Sequence, residues 1–155
     1  MKKILTLLLS ICLALFFLTG CGTKQSTTSS AKKTNTKTTV QLAENGSYTS
    51  KNDVALYLHT YHKLPKNYIT KAEAKKLGWQ RERGKTLDKI APGRSIGGDR
   101  FMNGERRLPH EDGIVYKECD IDYKRGNRGP KRLVFDNRSN IYYCADHYNH
   151  FEKLY

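Results

Sequence analysis

The chain has 155 residues, with 28 Lys and Arg against 15 Asp and Glu for a net charge of +13. This length holds one domain of ordinary size plus a tail, which excludes a large multidomain enzyme, and 37% hydrophobic residues supply only a modest core. Such a positive surplus, carried beside ten Tyr and one Trp, makes polyanions the natural ligands, whether nucleic acid, teichoic-type polymer or anionic lipid.

Lys2 and Lys3 open an apolar stretch from Ile4 to Leu18 that ends in Leu18-Thr19-Gly20-Cys21. A basic start, a short apolar middle and small residues before a cut site predict a secretory signal over residues 1–20. About 15 apolar residues fall short of the roughly 20 that a spanning helix needs. The Leu-x-Gly-Cys ending resembles the lipobox of bacterial lipoproteins, which implies that Cys21 is acylated, becomes the mature N-terminus and anchors the protein on the outer face of a bacterial cytoplasmic membrane. Plain secretion is the alternative. Stable anchoring takes two or more acyl chains. Residues 22–47 are largely Ser, Thr, Lys, Gln and Asn with little to bury, so residues 21–47 read as the anchor cysteine and a disordered tether ahead of a domain over 48–155. That domain keeps 22 basic and 14 acidic residues, a net +8. Its two cysteines are Cys119 and Cys144, and the sequence alone leaves a disulfide between them open.

Within the domain, Val54, Leu58 and Tyr61 recur at helical spacing after Asn52-Asp53, and Leu64-Pro65 ends the pattern, which predicts a first helix. Thr70 and Glu73 form a capping box behind Ile69, and Gly78 stops a short second helix after Leu77, with Trp79 packing just beyond. Gly84 to Gly98 carries Pro92-Gly93 and Gly97-Gly98 and reads as a loop leading into a strand around Ser95 to Asp99. From Ile114 to Ile121 the residues alternate, with Val115, Cys119 and Ile121 toward one face and Tyr116, Glu118 and Asp120 toward the other. Arg132 to Phe135 and Ile141 to Cys144 flank a polar turn as a hairpin, and a last short strand runs from Phe151 to Leu154. Helices first and strands afterwards predict an α+β fold, with the N-terminal helices packed on one face of an antiparallel sheet and the other face open.

The open face is where chemistry is to be sought. Glu118 sits mid-strand among β-formers, where a carboxylate is either a solvated strand residue or a working group. His147 follows Asp146 at a strand end with Tyr148 behind it, and Lys71, Arg128, Lys131 and Arg132 supply cations. Cleaving RNA without a metal needs a base for the 2′-hydroxyl proton and an acid for the leaving 5′-oxygen. Glu and His fill those roles near neutral pH, each worth roughly 10²- to 10⁴-fold, and cations neutralise charge building on the phosphoryl oxygens. Cys119, Cys144, His147 and His150 are donors that zinc accepts, but their spacing of three alternates faces along a strand and the paired-cysteine knuckle is missing, so neither a metal nor another cofactor is expected. There is no GxxxxGK phosphate loop. The rival from another class is a non-catalytic, lipid-anchored polyanion- or RNA-binding module.

The run Tyr57-Leu58-His59-Thr60-Tyr61-His62-Lys63-Leu64-Pro65 continues in Asn67-Tyr68-Ile69-Thr70-Lys71, Leu77-Gly78-Trp79, Ala91-Pro92-Gly93 and Ser95-Ile96-Gly97-Gly98-Asp99. Glu118, Asp120-Ile121 and Asp146-His147-Tyr148 follow in order. From Asp53 to about Phe151 this series resembles the guanyl-preferring extracellular microbial ribonucleases of the barnase and binase type. The resemblance implies a monomer that cleaves single-stranded RNA 3′ to guanosine, by transesterification to a 2′,3′-cyclic phosphate and then hydrolysis. It implies Glu118 as general base, His147 as general acid, and Lys71, Arg128 and Arg132 around the phosphate, with Tyr148 and Asp99 supporting the site. The base would lie in the loop Phe101-Met102-Asn103-Gly104-Glu105, where Glu105 accepts from the guanine N1 and N2 donors and backbone amides meet O6. His62, at the C-terminal end of the first helix, is structural. An acidic cytoplasmic inhibitor of the barstar kind would dock over His147, Arg128 and Arg132.

Several positions depart from that pattern. Gly104 stands where the family template has an arginine that also serves the inhibitor, with Arg106 and Arg107 near enough to compensate in part. Met102 replaces a serine. A buried Arg–Asp pair becomes Ile114 and Arg138, the loop near Lys85 to Lys89 is one residue longer, and Gly129-Pro130 re-aims the Arg128 side chain. On the template, Cys119 and Cys144 lie on strands with one strand between them. That gives nearly 10 Å against the ~7 Å limit for a bridge, so free, mostly buried thiols are expected.

Overall fold

The computed structural model describes residues 41–155; the segment expected to be a signal, Cys21 and the expected tether as far as residue 40 lie outside the described residues. Helix α1 (Lys51–Tyr61) begins where Ser50 accepts a hydrogen bond from the Asp53 amide at 3.2 Å. It ends where His62 turns left-handed, with φ at 53°, and gives its amide to the Leu58 carbonyl. Between these caps Val54, Ala55 and Leu58 form a buried stripe that lies on Cys119, Ile121, Leu133 and Ile141 of the sheet. Burying a side chain of the Leu or Ile class contributes roughly 1.5–3 kcal/mol, so this stripe is what holds α1 in place.

The elements that follow are β1 (Tyr68–Ile69), α2 (Lys71–Lys76), a 3₁₀ turn (Arg81–Arg83), α3 (Leu87–Ile90), β2 (Ser95–Phe101), β3 (Tyr116–Asp120), β4 (Arg132–Asp136), β5 (Ile141–Cys144) and β6 (Glu152–Lys153). The six strands lie in sequence order. β2 to β6 are antiparallel neighbours, and β1 adds a parallel edge beside β2. The fold is α+β, as expected. α2 carries the Thr70–Glu73 capping box and buries Ala74 with Leu87, Ala91, Ile96 and Tyr123, while Trp79 packs at the margin of that cluster.

Two glycines shape the strand that borders the site. A Cβ on Gly97 would stand 2.6 Å from the Cys119 Cβ and 2.7 Å from the Tyr68 ring, so only glycine lets β2 approach there. Gly98, at φ 94°, sits in a β-bulge, beyond which Asp99 is set directly opposite Glu118.

Besides the parallel edge strand β1, which the sequence reading did not anticipate, the structure departs from that reading in four places. Residues 84–98 are not loop throughout, because Leu87 buries its side chain and draws one helical turn, α3, into the second cluster. β3 starts at Tyr116, and Val115 is exposed instead of buried; its amide bonds the Asn137 side chain in a neighbouring turn. The face expected to be open is largely covered, since Leu108, Tyr116, Val134 and Tyr142 bury one another beneath Phe101, Ile114, Tyr148 and Phe151. Finally, the ordered domain reaches upstream of Tyr48. Tyr61 donates its hydroxyl to the Leu42 carbonyl at 2.6 Å, Tyr57 donates to the Glu44 carbonyl, and Lys63 pairs with Glu44 at 2.6 Å. Tyrosine hydroxyls on α1 thus supply the partners that this polar segment lacks within itself.

Cys119 and Cys144 are free and buried. Cys119 lies opposite Leu133, and Cys144 lies opposite Arg132 on the far side of that same strand, so β4 separates the thiols. Arg138 pairs with Glu111 at 2.5 Å and donates to the Asp112 carbonyl at 3.1 Å.

Candidate active site

Every expected site residue except Asp99 lines one cleft of about 550 Å³, together with Arg100 and Arg107. Its floor is the half of the sheet turned away from α1. Glu118 projects there from the middle of β3, 5% exposed, and its carboxylate is held from two sides. Lys71 Nζ donates to Oε1 at 2.6 Å and the Tyr148 hydroxyl donates to Oε2. Burial, the largest influence, pushes the Glu118 carboxyl up, yet the Lys71 and Tyr148 hydrogen bonds and the charges of Lys71 and Arg128 together hold it below the usual glutamate range. Tyr148 is pushed up to about 12 by its own burial and by the carboxylate it faces, so it remains a donor.

Lys71 owes its place to Asp99, which stands outside the cleft lining. The Asp99 Oδ2 accepts from the Lys71 amide at 2.9 Å and so fastens the first turn of α2 to the bulged strand. Arg128 and Arg132 owe theirs to Asp120, which sequence reasoning passed over as a strand residue. Asp120 is 2% exposed and takes Arg128 bidentately, from Nε at 2.7 Å and from Nη2 at 2.6 Å, while Arg132 Nε lies 3.1 Å from Oδ1. Arg132 also donates to the Gly129 and Lys131 carbonyls, both at 2.7 Å. The Gly129-Pro130 turn therefore leaves Arg128 in the cleft. Lys131 faces away and pairs with Asp122. Asp120 was legible in principle, because it shares alternation with Glu118 and lies cross-strand from Arg132.

His147 is exposed on the loop after β5, and both it and Tyr148 adopt left-handed backbone, with φ at 57° and 73°. Such residues cost of order 1–3 kcal/mol each unless their surroundings fix them. Here the Tyr148 amide donates to the Cys144 sulfur, Asp146 Oδ1 accepts the Asn149 and His150 amides at 3.1 and 3.0 Å, and the His147 amide reaches the Pro130 carbonyl at 3.3 Å. His150 is turned outward, its ring against Asp146 at 2.5 Å, and this contact, first among several, holds the Asp146 carboxyl well below the usual range.

The opposite wall is the Phe101–Glu105 loop. Phe101 packs on Tyr148 with ring centroids 5.1 Å apart. Asn103 is buried and left-handed, and its side chain exchanges hydrogen bonds with the Leu108 amide and carbonyl at 3.1 and 2.8 Å, so it staples the loop and leaves main chain to line the cleft. Met102 is exposed, and a Cβ added at Gly104 would meet nothing within 4 Å. Glu105 pairs with Arg107 at 2.6 Å, and Arg107 also donates to the Asn149 carbonyl at 2.7 Å, so this arginine is already engaged. Among the described residues no group of three or more His, Cys, Asp or Glu is gathered so as to hold a metal.

A family model described as ribonuclease matches residues 51–155. A ribonuclease of Heyndrickxia coagulans is 48% identical over 101 residues, covering 65% of this chain and 92% of its own length. Ribonucleases of Bacillus intermedius and Bacillus pumilus show the same identity over 65% of this chain, which spans 62% of each of them. A solved structure of ribonuclease Sa2 with guanosine-2′-cyclophosphate aligns with 37% of this chain and 61% of its own at 33% identity, with a TM-score of 0.34. With the family match running from the start of α1 to the last residue, the chain belongs to the microbial ribonuclease family and is an endoribonuclease.

Proposed function

We propose that this enzyme cleaves single-stranded RNA 3′ to guanosine in two steps without a metal. In the first, Glu118 takes the 2′-hydroxyl proton while the 2′-oxygen bonds to phosphorus, and His147 protonates the 5′-oxygen as the P–O5′ bond breaks, leaving a 2′,3′-cyclic phosphate. In the second, water opens the ring with the roles exchanged. Lys71, Arg128 and Arg132 stabilise the phosphoryl charge, Tyr148 and Asp99 hold the site, and the Phe101–Glu105 loop takes the base. The observation that carries this reading is a buried carboxylate, kept ionised by Lys71 and Tyr148, in the same cleft as an exposed imidazole and two clamped guanidinium groups. Mass analysis of cleaved oligonucleotides tests it. Guanosine 2′,3′-cyclic ends, formed equally in EDTA, are expected; other ends, or activity abolished by EDTA, would overturn it.

The base assignment carries a pH signature. A carboxyl lowered on folding is ionised down to below the ordinary glutamate value of about 4.3. It adds stability that is present above that value and lost as pH falls through the folded one. Lys71→Ala removes a lowering influence and leaves the burial, so the Glu118 carboxyl rises and the acid limb of kcat/KM is expected to move to higher pH. A pH–rate profile whose acid limb stays where it was would contradict Glu118 as the base.

The same reading has the protein exported and monomeric, held at the membrane through Cys21, and bound by an acidic inhibitor of the barstar kind over His147, Arg128 and Arg132. The net +8 domain favours fast association with such a partner. Gly104 removes a cation that the template offers it, and Arg106, exposed and left-handed at φ 51°, is the cation nearby that remains to compensate. Protein found wholly in the medium with an unmodified N-terminus would remove the anchor, and undiminished cleavage at micromolar barstar would remove the inhibitor.

A further inference from the structure

We propose that Arg107 is the positioning residue that makes the base loop selective: it holds the Glu105 carboxylate ready for a guanine edge and ties it to the loop that carries His147. This rests on the guanine reading above. The Glu105 side chain is 75% exposed, so alone it would sample many rotamers, and each would have to be frozen out when a base arrives. Arg107 Nε already fixes Oε2 at 2.6 Å. The same guanidinium fixes itself through Nη1 to the Asn149 carbonyl at 2.7 Å, within two residues of His147. The guanidinium meets the two acceptors from different nitrogens of one rigid plane, whereas an ammonium offers all its donors from one point on a flexible stem.

The consequence differs between bases. Guanine presents N1–H and N2–H side by side, a match to both oxygens of a carboxylate, and each oxygen has a second lone-pair position, so Oε2 can serve Arg107 and the base together. Adenine presents an acceptor at N1 and gains nothing from an aligned Glu105. A device that fixes Glu105 therefore favours guanine alone, and its removal is read in the ratio of substrates, whereas a general loosening of the cleft slows both equally.

The test compares kcat/KM on the dinucleotides GpC and ApC for the wild-type protein, Arg107→Ala, Arg107→Lys, Glu105→Gln and the Arg107→Ala, Glu105→Gln double variant. Arg107→Ala is expected to lower GpC cleavage roughly tenfold, the effect of one charge-assisted hydrogen bond, chiefly through KM. ApC should lose several-fold less than GpC, so that the ratio of the two falls, and in the Glu105→Gln background Arg107→Ala should change the ratio no further. Arg107→Lys, which keeps the charge without the planar fork, should fall between. Equal losses on GpC and ApC, an unchanged ratio, or an undiminished effect in the Glu105→Gln background would overturn the role of Arg107. Wild-type protein that cleaves GpC and ApC alike would overturn the guanine reading itself, and this proposal with it.

Discussion

Replacing His147 with alanine is expected to remove nearly all RNA cleavage, a loss of roughly 10²- to 10⁴-fold in kcat/KM for one positioned acid. The 5′-oxygen is a poor leaving group until it is protonated, and no other imidazole in the cleft lining can serve. The loop should survive the change, because its hydrogen bonds run through the His147 amide, the Asp146 carboxylate and the Cys144 sulfur and none of them uses the imidazole. Glu118→Ala should retain more activity, since solvent can take the 2′-hydroxyl proton while Lys71, Arg128 and Arg132 still neutralise the phosphate. His59 stacks on Tyr155, His110 lies outside the main cleft, and His150 turns outward onto Asp146, so alanine at each should keep most activity. Initial rates on a fluorogenic RNA decide the matter. If His150→Ala loses as much as His147→Ala, the acid has been assigned to the wrong imidazole.

Asp120→Ala is expected to cost about 3–5 kcal/mol of folding stability, the usual penalty when one member of a buried ion pair is deleted. Arg128 and Arg132 expose only 15% and 3% of their side chains, so two guanidinium charges would stay desolvated beside each other with their shared counter-charge gone. Domains of this size are stable by about 5–15 kcal/mol, so a fifth or more of the total is at stake. Urea denaturation at neutral pH measures it, with cleavage activity falling in parallel because both arginines lose their aim at the phosphate. A midpoint change equivalent to less than about 1 kcal/mol, the range of surface pairs, would show that the clamp is not what holds them.

Much of this molecule was legible from local chemistry. The Thr70–Glu73 capping box and the Gly78 stop delimit α2, and the alternation around Cys119 and Ile121 identifies the face that receives α1. What escaped is what long-range contacts create. β1 is two residues long and exists because Tyr68 and Ile69 find Ser95 and Ile96 in parallel register. α3 is a single turn held by the burial of Leu87. Val115 alternates correctly but falls before the strand begins. Among the site residues, Glu118 and His147 stood out because a carboxylate and an imidazole are conspicuous on strands and strand ends. Asp120 shares the alternation of Glu118, but its hold on Arg128 and Arg132 appears only once the strands pair, and Arg107 acts through a loop distant in sequence that no spacing rule marks. Leu42 to Glu44 look unstructured because their partners, the hydroxyls of Tyr57 and Tyr61, lie on the far side of a turn.

That last contact has a mechanical meaning. A load arriving along the N-terminal segment enters the domain at the Leu42 and Glu44 carbonyls and passes through two phenol hydroxyls into α1. The helix passes it through Val54, Ala55 and Leu58 onto the sheet. Glu118 and Asp120 flank Cys119 on the same strand and turn to the other side of that sheet. Tension on the segment at Leu42 to Glu44 would thus fall first on the helical side of the molecule and reach the cleft only through the sheet.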